Sequence, residues 1–111
     1  MKIAPRQTKK NTAQKIVDII IQSADPDRII LFGSYARGQA TSDSDVDLLV
    51  LLRFSGKGFW KSLEILNRVN PRFPVDLLAR RPEDAERRYV EGDPLIREAF
   101  DQGRVLYELD R

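Results

Sequence analysis

Neither cysteine nor histidine occurs among the 111 residues. Sites built on thiolate or imidazole are therefore excluded, and any general base must be a carboxylate, a water or a metal-bound hydroxide. The lack of cysteine suits a reducing compartment, and the cytoplasm is the expected location. There is no apolar run long enough to span a membrane, and Lys2, Arg6, Lys9 and Lys10 are not followed by the apolar stretch of a signal peptide. Neither sign of charge dominates. Nineteen basic and seventeen acidic residues leave a net charge of +2, so the overall field gives no indication of direct nucleic-acid binding. Internal repeats and low-complexity segments are absent as well.

What remains is a short chain whose apolar content suffices for one modest core, so residues 1–111 are read as a single domain. Met1 to Lys10 is polar and basic and is expected to be flexible. Thr12 to Ala24 carries Ala13, Ile16, Val17, Ile19, Ile20 and Ala24, the broad apolar stripe of a helix that packs on a sheet. Arg28 to Phe32 and Val46 to Leu52 are apolar runs of strand length. Gly58 to Val69 has helical spacing, with Phe59, Leu63 and Leu66 on one side and Trp60, assigned to core or interface, on its flank. Phe73 to Ala79 reads as a third strand. A charged helix then starts near Pro82 and ends before Gly92, and a last helix runs from Pro94 to Gln102 with Gly103 as its cap. Val105-Leu106-Tyr107 closes the chain as a short strand or an extended tail.

The chemistry concentrates between the first two strands. Gly33-Ser34 ends the first in a tight turn, and Tyr35-Ala36-Arg37 suits one helical turn. Glycine lets a ligand approach the backbone, and the free N–H groups of a helical start bind phosphate. On the second strand, side-chain alternation puts Asp45, Asp47, Leu49 and Leu51 on one face. Two carboxylates at i and i+2 repel one another, and a bound cation is the cheapest way to keep both ionised. If the turn is to face them, the first two strands must be antiparallel neighbours. The helical crossover to the third strand makes that strand parallel to the second, which brings the isolated Asp76 to the same sheet end. A divalent metal holding a nucleoside triphosphate is the site these parts describe. Asp43, still in the loop, is read as a turn residue.

Gly33, Ser34, Arg37, Gly38 and Ser44-Asp45-Val46-Asp47-Leu48-Leu49-Val50, followed by the lone Asp76, resemble the minimal nucleotidyltransferase (MNT) branch of the polymerase-beta nucleotidyltransferase superfamily. The likeness extends over most of the chain, to Gly103 through Glu108. It implies an α/β (α+β) fold, a small mixed sheet with helices packed on it. It also implies two-magnesium chemistry on ATP, with Asp45, Asp47 and Asp76 as catalytic residues and metal ligands. Gly33, Ser34, Arg37 and Ser44 would bind the nucleotide phosphates, although Arg37 serves equally well as a salt bridge that orients the loop.

Larger members of the superfamily add a second domain for the acceptor, and the small ones resemble antitoxins paired with HEPN-type toxins. The resemblance thus implies AMP transfer from ATP to a tyrosine of a partner toxin, in a hetero-oligomer. Two alternatives stand beside it: neutralisation of the partner by binding and masking alone, and nucleotide transfer to a small molecule or an RNA end.

Overall fold

A computed structural model describes residues 5–110, the side chains of residues 5–12 excepted. Eight elements follow in order: α1 (Pro5–Ala24), β1 (Arg28–Phe32), β2 (Val46–Leu51), α2 (Gly58–Val69), β3 (Val75–Arg80), α3 (Pro82–Glu91), α4 (Pro94–Gln102) and β4 (Arg104–Glu108). The strands form one mixed sheet in the order β3-β2-β1-β4. β1 is antiparallel to both β2 and β4, while β2 and β3 are parallel. This is the α+β architecture expected from the sequence, with both strand orientations as expected.

The helices cover both faces of the sheet. Alternation along the strands sends Ile29, Leu31, Val46, Leu48 and Val50 to one face, where Ile16, Val17 and Ile20 of α1 and Ile65 and Val69 of α2 close over them. The intervening residues Ile30, Phe32, Leu49 and Leu51 meet Ala85 of α3 and Ile96 and Ala99 of α4. Among the described residues the first core holds thirteen buried residues and the second seven, so the α1/α2 side anchors the fold. Each fully buried Leu or Ile contributes on the order of 2 kcal/mol. The thinner α3/α4 side leaves the strand ends on that face open, and Asp47 lies there.

Several local features differ from the sequence reading. α1 starts at Pro5 rather than Thr12, because a proline at a helix start has no N–H to satisfy and the polar Gln and Lys residues after it are good helix formers. The flexible arm expected over residues 1–10 is thus helical from Pro5, and residues 1–4 lie outside the described residues. β3 starts at Val75, since Pro74 lacks the N–H that a strand needs. Gly103 ends α4 with extended backbone (φ −79°), not the left-handed cap. Its missing side chain serves packing: a Cβ there would stand 2.2 Å from the Ala99 carbonyl oxygen and 2.6 Å from Ile30. Trp60 is 65% exposed, which removes it from the core and leaves the interface reading.

Candidate active site

Gly33 follows directly on β1 with φ +74°, a left-handed backbone that favours glycine. The turn it opens is not a helix. Arg37 N–H donates to the Gly33 carbonyl at 3.2 Å and Gln39 N–H to the Ser34 carbonyl at 2.9 Å, and Gly38 reverses the chain at φ +71°. One helical turn forms and then stops. Phe32, the last residue of β1, pairs with Asp47 of β2. The turn therefore lies against that carboxylate, so closely that a Cβ on Gly33 would stand 2.1 Å from Asp47 Oδ2.

Asp47 is in turn paired with Asp76 across the parallel β2–β3 ladder. Side chains at paired positions of neighbouring strands share a face, with backbones about 4.8 Å apart. The Val46 N–H bonds to the Pro74 carbonyl at 3.1 Å and holds the two strand starts in register. Asp45 lies just outside the strand and is exposed, so the face alternation assumed for it from the sequence does not reach it. Its position comes from the preceding turn: the Thr41 N–H donates to Ser44 Oγ at 2.8 Å and the Ser44 N–H returns to the Thr41 carbonyl at 3.1 Å. Ser44 is thereby engaged in shaping the loop that delivers Asp45. Asp43 is a turn residue, its N–H bonded to Thr41 Oγ1 at 3.3 Å.

Asp47 points to the α4 side, and this introduces a fourth acid. Burial first, and then the charges of Asp76, Asp45 and Glu98, push the Asp47 carboxyl up to about 6, while Arg37 pulls it down. Arg37 Nη1 is bound to Glu98 Oε2 at 2.5 Å, so its salt-bridge role is the one the structure displays. Glu98 has no motif in the sequence. Only the packing of Ile96 and Ala99 against the sheet brings it to this site. Asp45 and Asp76 form no ion pair among the described residues. Tyr35, the residue after Ser34, is partly buried and packs against the larger core.

Several acids sharing one end of a sheet with a single arginine form a poor structural cluster but a good cation site. The donors are all oxygen, as hard divalent cations require. Among the described residues no three acids stand in the arrangement of a finished metal cage. Magnesium does not need one, since it is commonly held by one or two carboxylates with substrate phosphates and water completing the shell. Gly33, with no side chain, lets the Asp47 carboxylate lie directly against the turn backbone. The residues present fit the ion.

The same region carries the likeness to known proteins. The family model described as a nucleotidyltransferase domain matches residues 13–106. The chain belongs to that family. A stretch of 27 residues is 63% identical to a Methanocaldococcus jannaschii protein provisionally named a protein adenylyltransferase, and it spans 24% of this chain and 27% of that relative. The fold is also matched by the crystal structure of a Sulfolobus solfataricus protein provisionally named a nucleotidyltransferase. That match has a TM-score of 0.63 and 20% identity, over 88% of this chain and 78% of that one. Another match is to the complex of a tri-AMPylated Shewanella oneidensis HEPN toxin with MNT antitoxin. Its TM-score is 0.54 at 20% identity, over 90% of this chain and 72% of that one. At these identities the structural matches establish the shared fold. Among the described residues, no helix is long and apolar enough to cross a membrane.

Proposed function

We propose that this nucleotidyltransferase transfers AMP from ATP to a tyrosine of a partner HEPN-type toxin and so acts as the antitoxin of a pair. The observation that carries the reading is the pairing of Asp47 with Asp76 while Gly33 lies bare against the Asp47 carboxylate. Family membership supplies the reaction class. The adenylyltransferase name of one relative, and the AMPylated toxin bound to an MNT antitoxin in another, supply the acceptor class.

In this reading Gly33 and Ser34 receive the β- and γ-phosphates through backbone N–H groups, and Ser44 keeps the Asp45 loop in place. Arg37 exchanges Glu98 for a phosphate oxygen when the nucleotide enters, since a guanidinium serves either anion. Asp45, Asp47 and Asp76 are the residues that would hold magnesium, one or two of them at a time with phosphate and water completing the shell, and the bound ion would neutralise charge on the triphosphate. The tyrosyl oxygen of the partner forms a bond to the α-phosphorus as the bond to the bridging oxygen breaks, and pyrophosphate leaves. The phenolic proton passes to Asp76, which has no ion-pair partner among the described residues.

Incubation with α-labelled ATP, magnesium and the co-expressed partner tests this. Label on the partner that falls by on the order of a hundredfold or more in Asp47→Asn is the expected result. Neutralisation that survives Asp45→Asn and Asp47→Asn would identify masking without catalysis. Label recovered on a small molecule or an RNA end would identify a different acceptor.

A further inference from the structure

β3 carries opposite charges at its two ends. Asp76, Leu78 and Arg80 share one face by alternation, and Arg80 lies four residues, roughly 13 Å, beyond Asp76. A cavity of about 440 Å³ opens there, and its lining includes Lys57, Arg80, Arg81, Arg87 and Arg88 with Asp84 as the one acid. Arg81 is already committed. Its Nε holds Asp84 at 2.9 Å, its Nη1 donates to the Phe54 and Gly56 carbonyls at 3.1 and 2.9 Å, and its guanidinium stacks 4.7 Å from the Phe54 ring centre.

The other cations are under-matched. Arg87 shares Asp84 with Arg81, at 3.0 Å, and Arg88 reaches Asp93 only at 3.3 Å. Lys57 and Arg80 form no ion pair among the described residues. Arg80 Nη1 donates to the Ala79 carbonyl, but its buried Nε finds no acceptor. Burial, and then repulsion by Arg88, lowers the Arg80 pKa. A buried guanidinium N–H without an acceptor costs stability unless an anion supplies one.

The rim is aromatic. Phe59 lines the cavity and is 63% exposed, and the Trp60 ring stands edge-on 5.1 Å away. Inorganic phosphate would satisfy the cations and leave the rings bare. A peptide of aspartate and glutamate would satisfy the cations with carboxylates but bring no aromatic face to the rings. A nucleotide offers both a polyanion for guanidinium forks and a base for stacking, in a volume typical of small-ligand pockets.

We propose that this cavity is a second nucleotide site, which takes phosphate on Arg80, Arg87, Arg88 and Lys57 and a base on Phe59. The ligand is a free nucleoside phosphate or one unit of a single-stranded RNA, which present the same chemistry. Trp60 is the chain's one tryptophan and reports on the site through its edge-on contact with Phe59. The intact protein in EDTA is titrated with ATP, and separately with a short oligoadenylate, while Trp60 emission is followed.

Saturable quenching is expected. It should weaken at least about tenfold in Arg87→Glu/Arg88→Glu and several-fold in Lys57→Ala, an exposed change that spares the fold, and should persist in Asp45→Asn/Asp47→Asn. The tighter of the two ligands identifies the source. Absence of a saturable response to both, a response that survives the basic substitutions, or equal binding of a polyglutamate peptide would overturn the proposal. Loss of the response in Asp45→Asn/Asp47→Asn would overturn it too, by assigning the binding to the acidic end.

Discussion

The two ends of the β2–β3 ladder gather charge of opposite sign and treat it differently. At the start, Asp47 and Asp76 stand side by side with Asp45 and Glu98 near, and Arg37 is the cation that tempers Asp47. At the finish, Arg80 follows on the same face and enters a cluster in which Arg81 and Arg87 divide a single aspartate. The basic end is partly tied down, since Arg81 clamps the Phe54–Gly56 loop to the start of α3. At the acidic end Arg37 ties the Gly33 turn to Glu98 of α4 and leaves Asp45 and Asp76 without an ion pair among the described residues. Like charges that the fold itself leaves unmatched imply an outside counter-charge, a cation at one end and an anion at the other. Here most of the buried apolar packing among the described residues lies in the larger core on the opposite face, which frees these ends to carry unfavourable charge.

The sharpest way to break that contrast is Gly33→Ala. The backbone there has φ +74°, and the added methyl would meet Asp47 Oδ2 at 2.1 Å, so either the turn or the carboxylate must move. Left-handed strain costs roughly 1–2 kcal/mol, and the displacement adds a comparable amount, about 3 kcal/mol in all. Nucleotidyl transfer should fall by at least about a hundredfold while the protein remains folded, as read by circular dichroism and the transfer assay. Retention of wild-type activity would mean that the closeness of turn and carboxylate has no catalytic role.

That turn was legible in the sequence for a physical reason. Apolar runs closed by Gly33-Ser34 and opened at Val46 define two strands, and period-two alternation fixes the face of Asp47 together with Leu49 and Leu51. The crossover rule then orients β3 and brings in Asp76. Local period and short connections are properties of adjacent residues. Glu98 and the Arg80 cluster are not, because each depends on where a helix lands after the sheet has formed. Asp45 shows the limit from the other side: alternation holds only while the strand lasts, and the strand starts one residue later. Trp60 shows it again, since helical spacing marks an apolar stripe without saying how much of that stripe the sheet can cover.

A smaller effect sharpens the comparison at the basic end. Arg81→Ala removes an ion pair, two hydrogen bonds to loop carbonyls and the stacking on Phe54. The side chain is about a third exposed, so solvent recovers part of the loss, and about 2 kcal/mol is expected. A urea titration should show this drop with transfer activity little changed. An equal loss of activity would mean that the two ends are coupled rather than independent.

The smallest effect distinguishes function from stability at the acidic end. In the metal-free protein the Asp47 carboxyl is raised from 3.8 to about 6, chiefly by burial and then by Asp76. The folded state therefore binds this proton more tightly than the unfolded chain does. Its contribution is fully present below about pH 4 and is lost as pH rises to about 6. At 1.36 kcal/mol per pH unit the full shift would approach 3 kcal/mol, but partial solvation reduces this to about 1 kcal/mol. Asp47→Asn has no such ionisation. Measured by urea unfolding in EDTA, it should be about 1 kcal/mol more stable than the wild type at pH 7, with the advantage vanishing by pH 4. Asp84 and Asp93 do not blur this difference. Burial raises both, but hydrogen bonds from Arg87 and from the Ile96 N–H outweigh it, so their contributions change below pH 4 and are common to both proteins. If the variant were no more stable than the wild type at pH 7, Asp47 would not be strained by its neighbours, and the acidic end would need no cation.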